Sequence, residues 1–320
     1  MKDLKNKYVR SVIKLGNSYA MTFPQEWTNK ANLKEKSEVS LYPIDDKSIV
    51  IKTTDKEKQK TIFNIGDNWP IKLLRHALIS AFKLNVDEIY LKYNEKNQDK
   101  LYKLLTELRR EIIGIDFKNL VDNNEFFIYF LLDSSKTTFK EVLSDLIDVF
   151  NIIISNVIKG TTQNNDDLLL AEIDRKYSLG RRILITGLSE YPLSKGYRNL
   201  PIIQYLGDRV VLIYVKDFIN ESLNLQNYPQ EIIKKYSNLL SRIPSLLIDI
   251  VNSEINLGSI SEFYDELIKL SSMLEKINIG ESFEELEIRN TIKYYLNSFQ
   301  NFFDIGITRL IESEIGMVKS

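Results

Sequence analysis

Basic side chains near the N-terminus are the residues of this sequence with the clearest potential chemistry. Residues 1–34 contain seven lysines and arginines against two acidic residues. Residues 1–60 hold 13 basic and 8 acidic residues, a charge of +5, so the rest of the chain must carry −6 to give the total of −1. A basic module on a mildly acidic chain indicates an anionic partner, with nucleic acid as the first candidate. The alternative is that the excess charge serves only solubility.

Other reactive side chains are scarce. The chain has no cysteine, which excludes disulfides, thiolate metal sites and a cysteine nucleophile. Its one histidine, His76, has no paired acid or nucleophile in the pattern and is expected to be structural. The phosphate-loop, dinucleotide and nucleophile-elbow motifs do not occur. We therefore expect that the protein is not an enzyme.

No apolar run is long enough to span a bilayer, and the charged N-terminus lacks the apolar stretch of a signal peptide. These two observations predict a cytoplasmic protein without membrane insertion.

The elements that would position the basic residues lie within residues 1–54. Runs of β-branched and aromatic residues predict strands, Gly16 and Asn17 predict a turn, and Pro24 suits the first turn of a helix. The predicted order is ββαββ, with strands at 8–14 and 19–23, a helix at 25–31 and strands at 38–42 and 48–53. The lysine-rich stretch 55–60 is predicted to be a linker.

Residues 10–27, RSVIKLGNSYAMTFPQEW, resemble the SpoVT/AbrB-type swapped-hairpin DNA-binding domain. The motifs that carry the resemblance are Gly16-Asn17-Ser18, Thr22-Phe23-Pro24 and Glu26-Trp27. The resemblance implies that two chains interleave into one barrel as a homodimer. It also implies DNA contacts from Lys7, Arg10, Lys14, Asn17 and Ser18. One departure is Lys36-Ser37, where many members have Gly-Asp.

These residues have structural alternatives. Arg10 and Lys14 lie four residues apart on one face of the predicted strand, which could bind phosphates or simply face solvent. Asn17 and Ser18 could form only the turn. Trp27 is expected to pack in a core.

Residues 61–133 predict a small α/β segment. Apolar residues recur at helical spacing over 70–83 and 97–113, and they alternate over 86–93. Two further strands, 116–121 and 125–133, would form a hairpin across Asn123 and Asn124. The predicted order is α-β-α-β-β.

Residues 135–320 predict an all-α body. The apolar spacing and the intervening breaks define six helices, at 137–159, 165–189, 197–224, 229–255, 259–278 and 281–315. Short loops favour antiparallel neighbours, so two three-helix bundles are the simplest layout. The predicted fold class is thus multi-domain α+β: a swapped-hairpin barrel, an α/β segment and a helical body.

The helical region resembles PhoU, a six-helix regulator associated with phosphate uptake. More narrowly, the whole chain resembles archaeal proteins in which a SpoVT/AbrB-type domain precedes a PhoU-like domain. The stretches that carry this resemblance are 108–117 (LRREIIGIDF), 168–184 (LLLAEIDRKYSLGRRIL), 202–213 (IIQYLGDRVVLI) and, more weakly, 298–306 (SFQNFFDIG).

The resemblance also implies metal ligands. PhoU-like proteins carry acidic pairs at i,i+4 spacing that could hold a divalent metal or iron. The matching pairs here are Gln204 with Asp208 and Gln300 with Asp304, so each lacks one carboxylate. Another acidic motif matches Glu172 and Asp174. The candidate ligands are therefore Glu172, Asp174, Asp208 and Asp304, and the alternative is that these acids form salt bridges, for example with Arg175 or Arg181.

Three functions are consistent with these patterns. The first is a dimeric DNA-binding transcriptional regulator of phosphate uptake or homeostasis genes, with the helical body as sensor or partner-binding module. The second is a signalling adaptor that docks on a phosphate transporter or sensor protein, with the N-terminal domain serving only dimerisation. The third is a metalloprotein.

Overall fold

The computed structural model describes residues 8–45, 47–53, 58–66, 69–132, 137–161, 166–189, 202–252, 257–277 and 282–314. The chain divides into two compact units, Met1–Glu57 and Lys58–Ser320. The first is rich in strands and the second is mostly helical, with eight of the nine described α-helices. This confirms a multi-domain α+β chain. Within the described ranges, no helix is both long and apolar enough to cross a membrane.

The first unit has the predicted ββαββ order. Its elements are β1 (Ile13–Leu15), β2 (Ser18–Ala20), α1 (Gln25–Lys30), β3 (Val39–Asp45) and β4 (Ser48–Thr53). β1 pairs with β2 and β3 pairs with β4, both antiparallel. Of the predicted linker 55–60, residues 55–57 lie outside the described residues, whereas Lys60 already begins the next strand, so the linker is shorter than predicted.

The first strand is much shorter than the predicted 8–14. Gly16 and Asn17 form a two-residue loop that pairs Leu15 with Ser18 and Ile13 with Ala20. After Ala20 the chain leaves the hairpin and reaches Pro24, which precedes α1. Residues 8–12 therefore have no described strand opposite them, and β propensity alone does not make a strand without a hydrogen-bonding neighbour.

Gly16 is required by the conformation of this loop. Its φ is +60°, in the left-handed region that tight hairpin turns need. A Cβ at this position would meet no atom within 4 Å, so there is room for a side chain. The constraint is therefore on the backbone and not on space.

The second unit begins with a four-stranded mixed sheet. Its elements are β5 (Lys60–Asn64), α2 (Ile71–Lys83), β6 (Glu88–Lys92), α3 (Gln98–Glu111), β7 (Ile115–Leu120) and β8 (Glu125–Phe130). The strand order is β5-β6-β8-β7, and only β5 and β6 are parallel. The buried faces of α2 and α3 share one hydrophobic core with the inward residues of the sheet. The hairpin of β7 and β8 is confirmed, whereas β5 was not predicted.

Six long helices complete the second unit. They are α4 (Phe139–Lys159), α5 (Asp166–Ser189), α6 (Ile202–Asn224), α7 (Gln230–Asn252), α8 (Leu257–Lys276) and α9 (Phe283–Glu314). All six were predicted; the predicted terminal residues 165, 197–201, 253–255, 278, 281 and 315 lie outside the described residues. α4 lies against α5, α6 and α7, and α9 lies against α6, α7 and α8. One hydrophobic core runs through all six.

Arg182 joins the sheet region to the helical body. It lies on α5 with only 4% of its side chain exposed, and it donates to the carbonyls of Phe82 (2.9 Å) and Val86 (3.2 Å). Its guanidinium also lies 4.9 Å from the Phe82 ring centroid and 5.0 Å from that of Phe130. The cation thus satisfies carbonyls at the C-terminal end of α2 while it packs between two rings.

Glu88 anchors the start of the sheet. Its side chain is 7% exposed and accepts from Lys58 at 2.7 Å and from Lys60 at 3.0 Å. Hydrogen bonds from these two lysines hold the pKa of Glu88 at about 2, below its ordinary value of 4.5. The ionised form is therefore favoured in the folded protein.

We expect Glu88→Gln to destabilise the second unit by about 1–3 kcal/mol at neutral pH, because two lysines lose their charged partner. A carboxyl group with a lowered pKa contributes stability that is fully present above pH 4.5 and is lost as the pH falls towards 2. The difference between wild type and variant should therefore shrink over that range. Urea denaturation from pH 7 to pH 2 measures it. The exposed Glu95→Gln variant is the control, and a pH-independent difference would contradict the assignment.

Candidate nucleic-acid interface

The structure places four predicted DNA-binding residues around the first hairpin. Arg10 lies in the extended segment before β1, Lys14 lies in β1, Asn17 lies in the turn, and Ser18 begins β2. All four are exposed. Lys7 lies outside the described residues. Because β1 begins at Ile13, Arg10 does not share a strand with Lys14 as the spacing predicts.

Arg10 and Lys14 are available to an anionic ligand. Neither forms an ion pair with a residue in the described part of the chain. The Arg10 guanidinium lies 5.8 Å from the Tyr8 ring centroid and donates to the Val9 carbonyl at 3.1 Å, and both neighbours leave its charge uncompensated. Lys14 stands opposite Tyr19 in the hairpin. Two exposed cations without acidic partners can attract phosphates.

Glu26 of α1 holds the segment that carries Arg10. The Tyr8 hydroxyl donates to Glu26 Oε2 at 2.6 Å, and Lys30 Nζ donates to Glu26 Oε1 at 2.6 Å. Trp27, expected in a core, is only half-buried, with its ring 5.0 Å from that of Phe23. The sequence suggested Glu26 only as part of a motif. Its role in tying α1 to the segment before β1 is visible only in the structure.

None of the described side chains between residues 8 and 53 is buried. Large apolar side chains in the strands and their flanks are instead exposed: Val9, Val12, Ile13, Leu15, Tyr19, Met21, Leu41 and Ile49. Val9 and Tyr19 are 75% and 73% exposed. A unit of this size without a core is not expected to be stable alone, since apolar burial supplies most of the driving force for folding.

The structure does not gather the predicted metal ligands into one cluster. Glu172 accepts from Arg175 at 3.1 Å, as the salt-bridge alternative expects, and Asp174 accepts from Lys216 at 2.5 Å. Asp208 is half-buried on α6, and Asp304 is exposed on α9. Among the described residues, no group of three or more histidines, cysteines or acids could hold a metal ion.

Two further predictions concern residues of the second unit. His76 is exposed on α2 and therefore lies outside the core. The side chain of Gln204, which replaces a carboxylate of the PhoU pattern, lies outside the described residues.

Comparison with protein families gives a match in the N-terminal unit. Residues 12–59 match a family model described as antidote-toxin recognition MazE, bacterial antitoxin. The match includes β1 to β4 and supports the SpoVT/AbrB resemblance of the N-terminal unit. No curated protein and no solved structure matches the chain. The PhoU resemblance receives no support from these comparisons.

The exposed apolar residues of the first unit lead us to expect a dimer in solution. Leu41 is 59% exposed on β3, so Leu41→Asp would place a charge in the apolar surface that a second copy must cover. Sedimentation equilibrium of the full chain should give a dimer for wild type and a shift to monomer for the variant. The exposed Asn29→Asp, with the same added charge on α1, should remain dimeric. A monomeric wild type at micromolar concentration would contradict the prediction.

Proposed function

We propose that the protein is a dimeric DNA-binding transcriptional regulator in which the first unit contacts DNA. The observation that carries this proposal is a pair of exposed cations, Lys14 in β1 and Arg10 in the segment before it, neither of which has an ion pair among the described residues. They lie in and just before the range, 12–59, that matches the MazE model. The basic excess of residues 1–34 agrees with an anionic partner for this unit.

The hairpin offers both kinds of DNA contact. Lys14 can neutralise a phosphate and release counterions, which gives affinity without sequence preference. Arg10 can donate two parallel hydrogen bonds to guanine, and the Asn17 amide can pair with adenine. The Ser18 hydroxyl can bond either a phosphate or a base edge. In a dimer these groups occur twice, so two half-sites would be contacted together.

The hydrogen bonds to Glu26 order the segment before β1 in advance of DNA binding. Because Tyr8 and Lys30 both donate to Glu26, the segment before β1 is held on α1 without DNA. A segment ordered in advance loses less conformational entropy on binding. We propose that this network fixes the segment that carries Arg10.

For the second unit we propose a sensor or partner-binding role in the control of phosphate uptake. Its support is the resemblance of 168–184 and 202–213 to PhoU, together with two Gln-x-x-x-Asp pairs placed on α6 and α9. The proposal includes a cytoplasmic location and no catalytic activity. It does not include metal binding, because Glu172 and Asp174 already pair with basic residues.

One observation favours a second candidate, the signalling adaptor. The exposed apolar residues of the first unit require association, whether or not DNA is bound. In this alternative the first unit only dimerises, and the second unit docks on a phosphate transporter or sensor protein.

We expect the double variant Arg10→Ala/Lys14→Ala to lose DNA affinity. The slope of log affinity against log salt should fall by about 1 for each phosphate contact removed. Fluorescence anisotropy of labelled duplex DNA with the full-length protein across a salt titration measures both quantities.

The charge-matched control is Lys34→Ala/Lys36→Ala, which removes two cations from the segment after α1. Wild-type affinity in the Arg10/Lys14 variant would contradict the site. If the wild-type dimer bound no duplex DNA even at low salt, the adaptor alternative would take its place.

A further inference from the structure

Two lysines from two helices lie over the ring of Tyr177 in the second unit, and Arg181 follows Tyr177 by one helical turn on α5. Lys83 is the last residue of α2, Arg181 lies on α5, and Lys216 lies on α6. The Lys83 ammonium is 5.2 Å and the Lys216 ammonium 4.6 Å from the ring centroid of Tyr177. The sequence separates these residues widely, and only the fold brings them together.

The cluster holds more positive charge than its neighbours compensate. Asp174, one helical turn before Tyr177 on α5, accepts from Lys216 at 2.5 Å. Lys83 and Arg181 form no hydrogen bond or ion pair with any residue that the structure describes. Three cations face one carboxylate, so the cluster carries a formal charge of +2. We call Lys83, Asp174, Tyr177, Arg181 and Lys216 the Tyr177 cluster.

This excess charge lies partly away from water. Tyr177 is 9% exposed, the Lys216 side chain is 24% exposed, and Lys83 is half-buried. Burial lowers the pKa of Lys83, the charges of Lys216 and Arg181 lower it further, and Asp174 opposes them. Half-buried cations that repel one another destabilise the folded protein unless an anion compensates them.

We propose that the Tyr177 cluster binds a small tetrahedral oxyanion of the phosphate type. A phosphate dianion matches the formal charge of +2. The ammonium groups of Lys83 and Lys216 can act as point charges, while the guanidinium of Arg181 can donate two parallel hydrogen bonds to neighbouring oxygens. The spacing of Asp174, Tyr177 and Arg181 places all three on one face of α5, so that a single anion can lie beside them.

The site lies where the sheet region meets the helical body. Lys83 ends α2, whereas the other members belong to α5 and α6. The adjacent residue on α5, Arg182, binds carbonyls at the end of the same helix α2. An anion held between Lys83 and Arg181 would therefore add a second link between these elements. The inference concerns the second unit alone and stands whether or not the first unit binds DNA.

The test is thermal unfolding of the full-length protein in sodium phosphate and in sodium chloride at equal ionic strength. We expect phosphate to raise the unfolding temperature with saturable concentration dependence, because a ligand that binds only the folded state stabilises it. Lys83→Met should weaken the apparent phosphate affinity at least tenfold. In chloride the same variant should unfold at a higher temperature than wild type, since it removes a repelled, half-buried cation.

Matched variants separate this site from general charge effects. Lys103→Met removes an exposed lysine from α3 and should keep the wild-type response to phosphate. Arg181→Met should lose the response as Lys83→Met does. Sodium sulfate is the second probe: an equal response would support an oxyanion site without preference for phosphate. A wild type that unfolds alike in phosphate and chloride, or a Lys83→Met variant that responds fully, would overturn the proposal.

Discussion

The first unit leaves large apolar side chains of its strands exposed, and its stability depends on whether they become buried. Its strands and helix form, but no described side chain between residues 8 and 53 is buried. A chain segment that gains almost no apolar burial cannot offset the entropy lost on folding. Association of two copies is how we expect this apolar burial to be supplied. It also means that two hairpin turns, each with its exposed cations, would be presented to a ligand as a pair.

The second unit has hydrophobic cores within its own chain. Two adjacent arginines of α5, Arg182 and Arg181, differ in how their charges are compensated. Arg182 is buried, but carbonyls at the end of α2 and two phenylalanine rings compensate it, so it can fasten the sheet region to α5. Arg181 has no such partners among the described residues and lies one helical turn after Tyr177 on α5, where its charge lowers the pKa of Lys83. Arg182 therefore has a structural role, whereas Arg181 belongs to a cluster with more positive than negative charge.

The sequence predicts the long helices far better than the first strand or β5. α4 is marked by a capping box between Thr138 and Glu141 and by a left-handed Gly160 at its end, both local signals. β5 depends on parallel pairing with β6 across an intervening helix, which no local pattern reports. The Tyr177 cluster could not be predicted from the sequence either. No local pattern distinguishes Lys83 and Lys216 from surface lysines, and only the packing of α2, α5 and α6 brings them together. Lys14, Asn17 and Ser18 were predicted as DNA contacts because the resemblance to the SpoVT/AbrB-type domain marks their positions in the sequence.

These constraints limit how a signal in the second unit could reach DNA. A ligand changes DNA affinity only if it binds differently to states that differ in DNA affinity. If the exposed apolar residues of the first unit are covered by a second copy, its folding and its association are coupled. An anion bound to the second unit would therefore act on DNA only if it also changed how readily two chains associate. Under this mechanism the effect would be large near the dimer dissociation constant and would vanish at high protein concentration, where every chain is already paired.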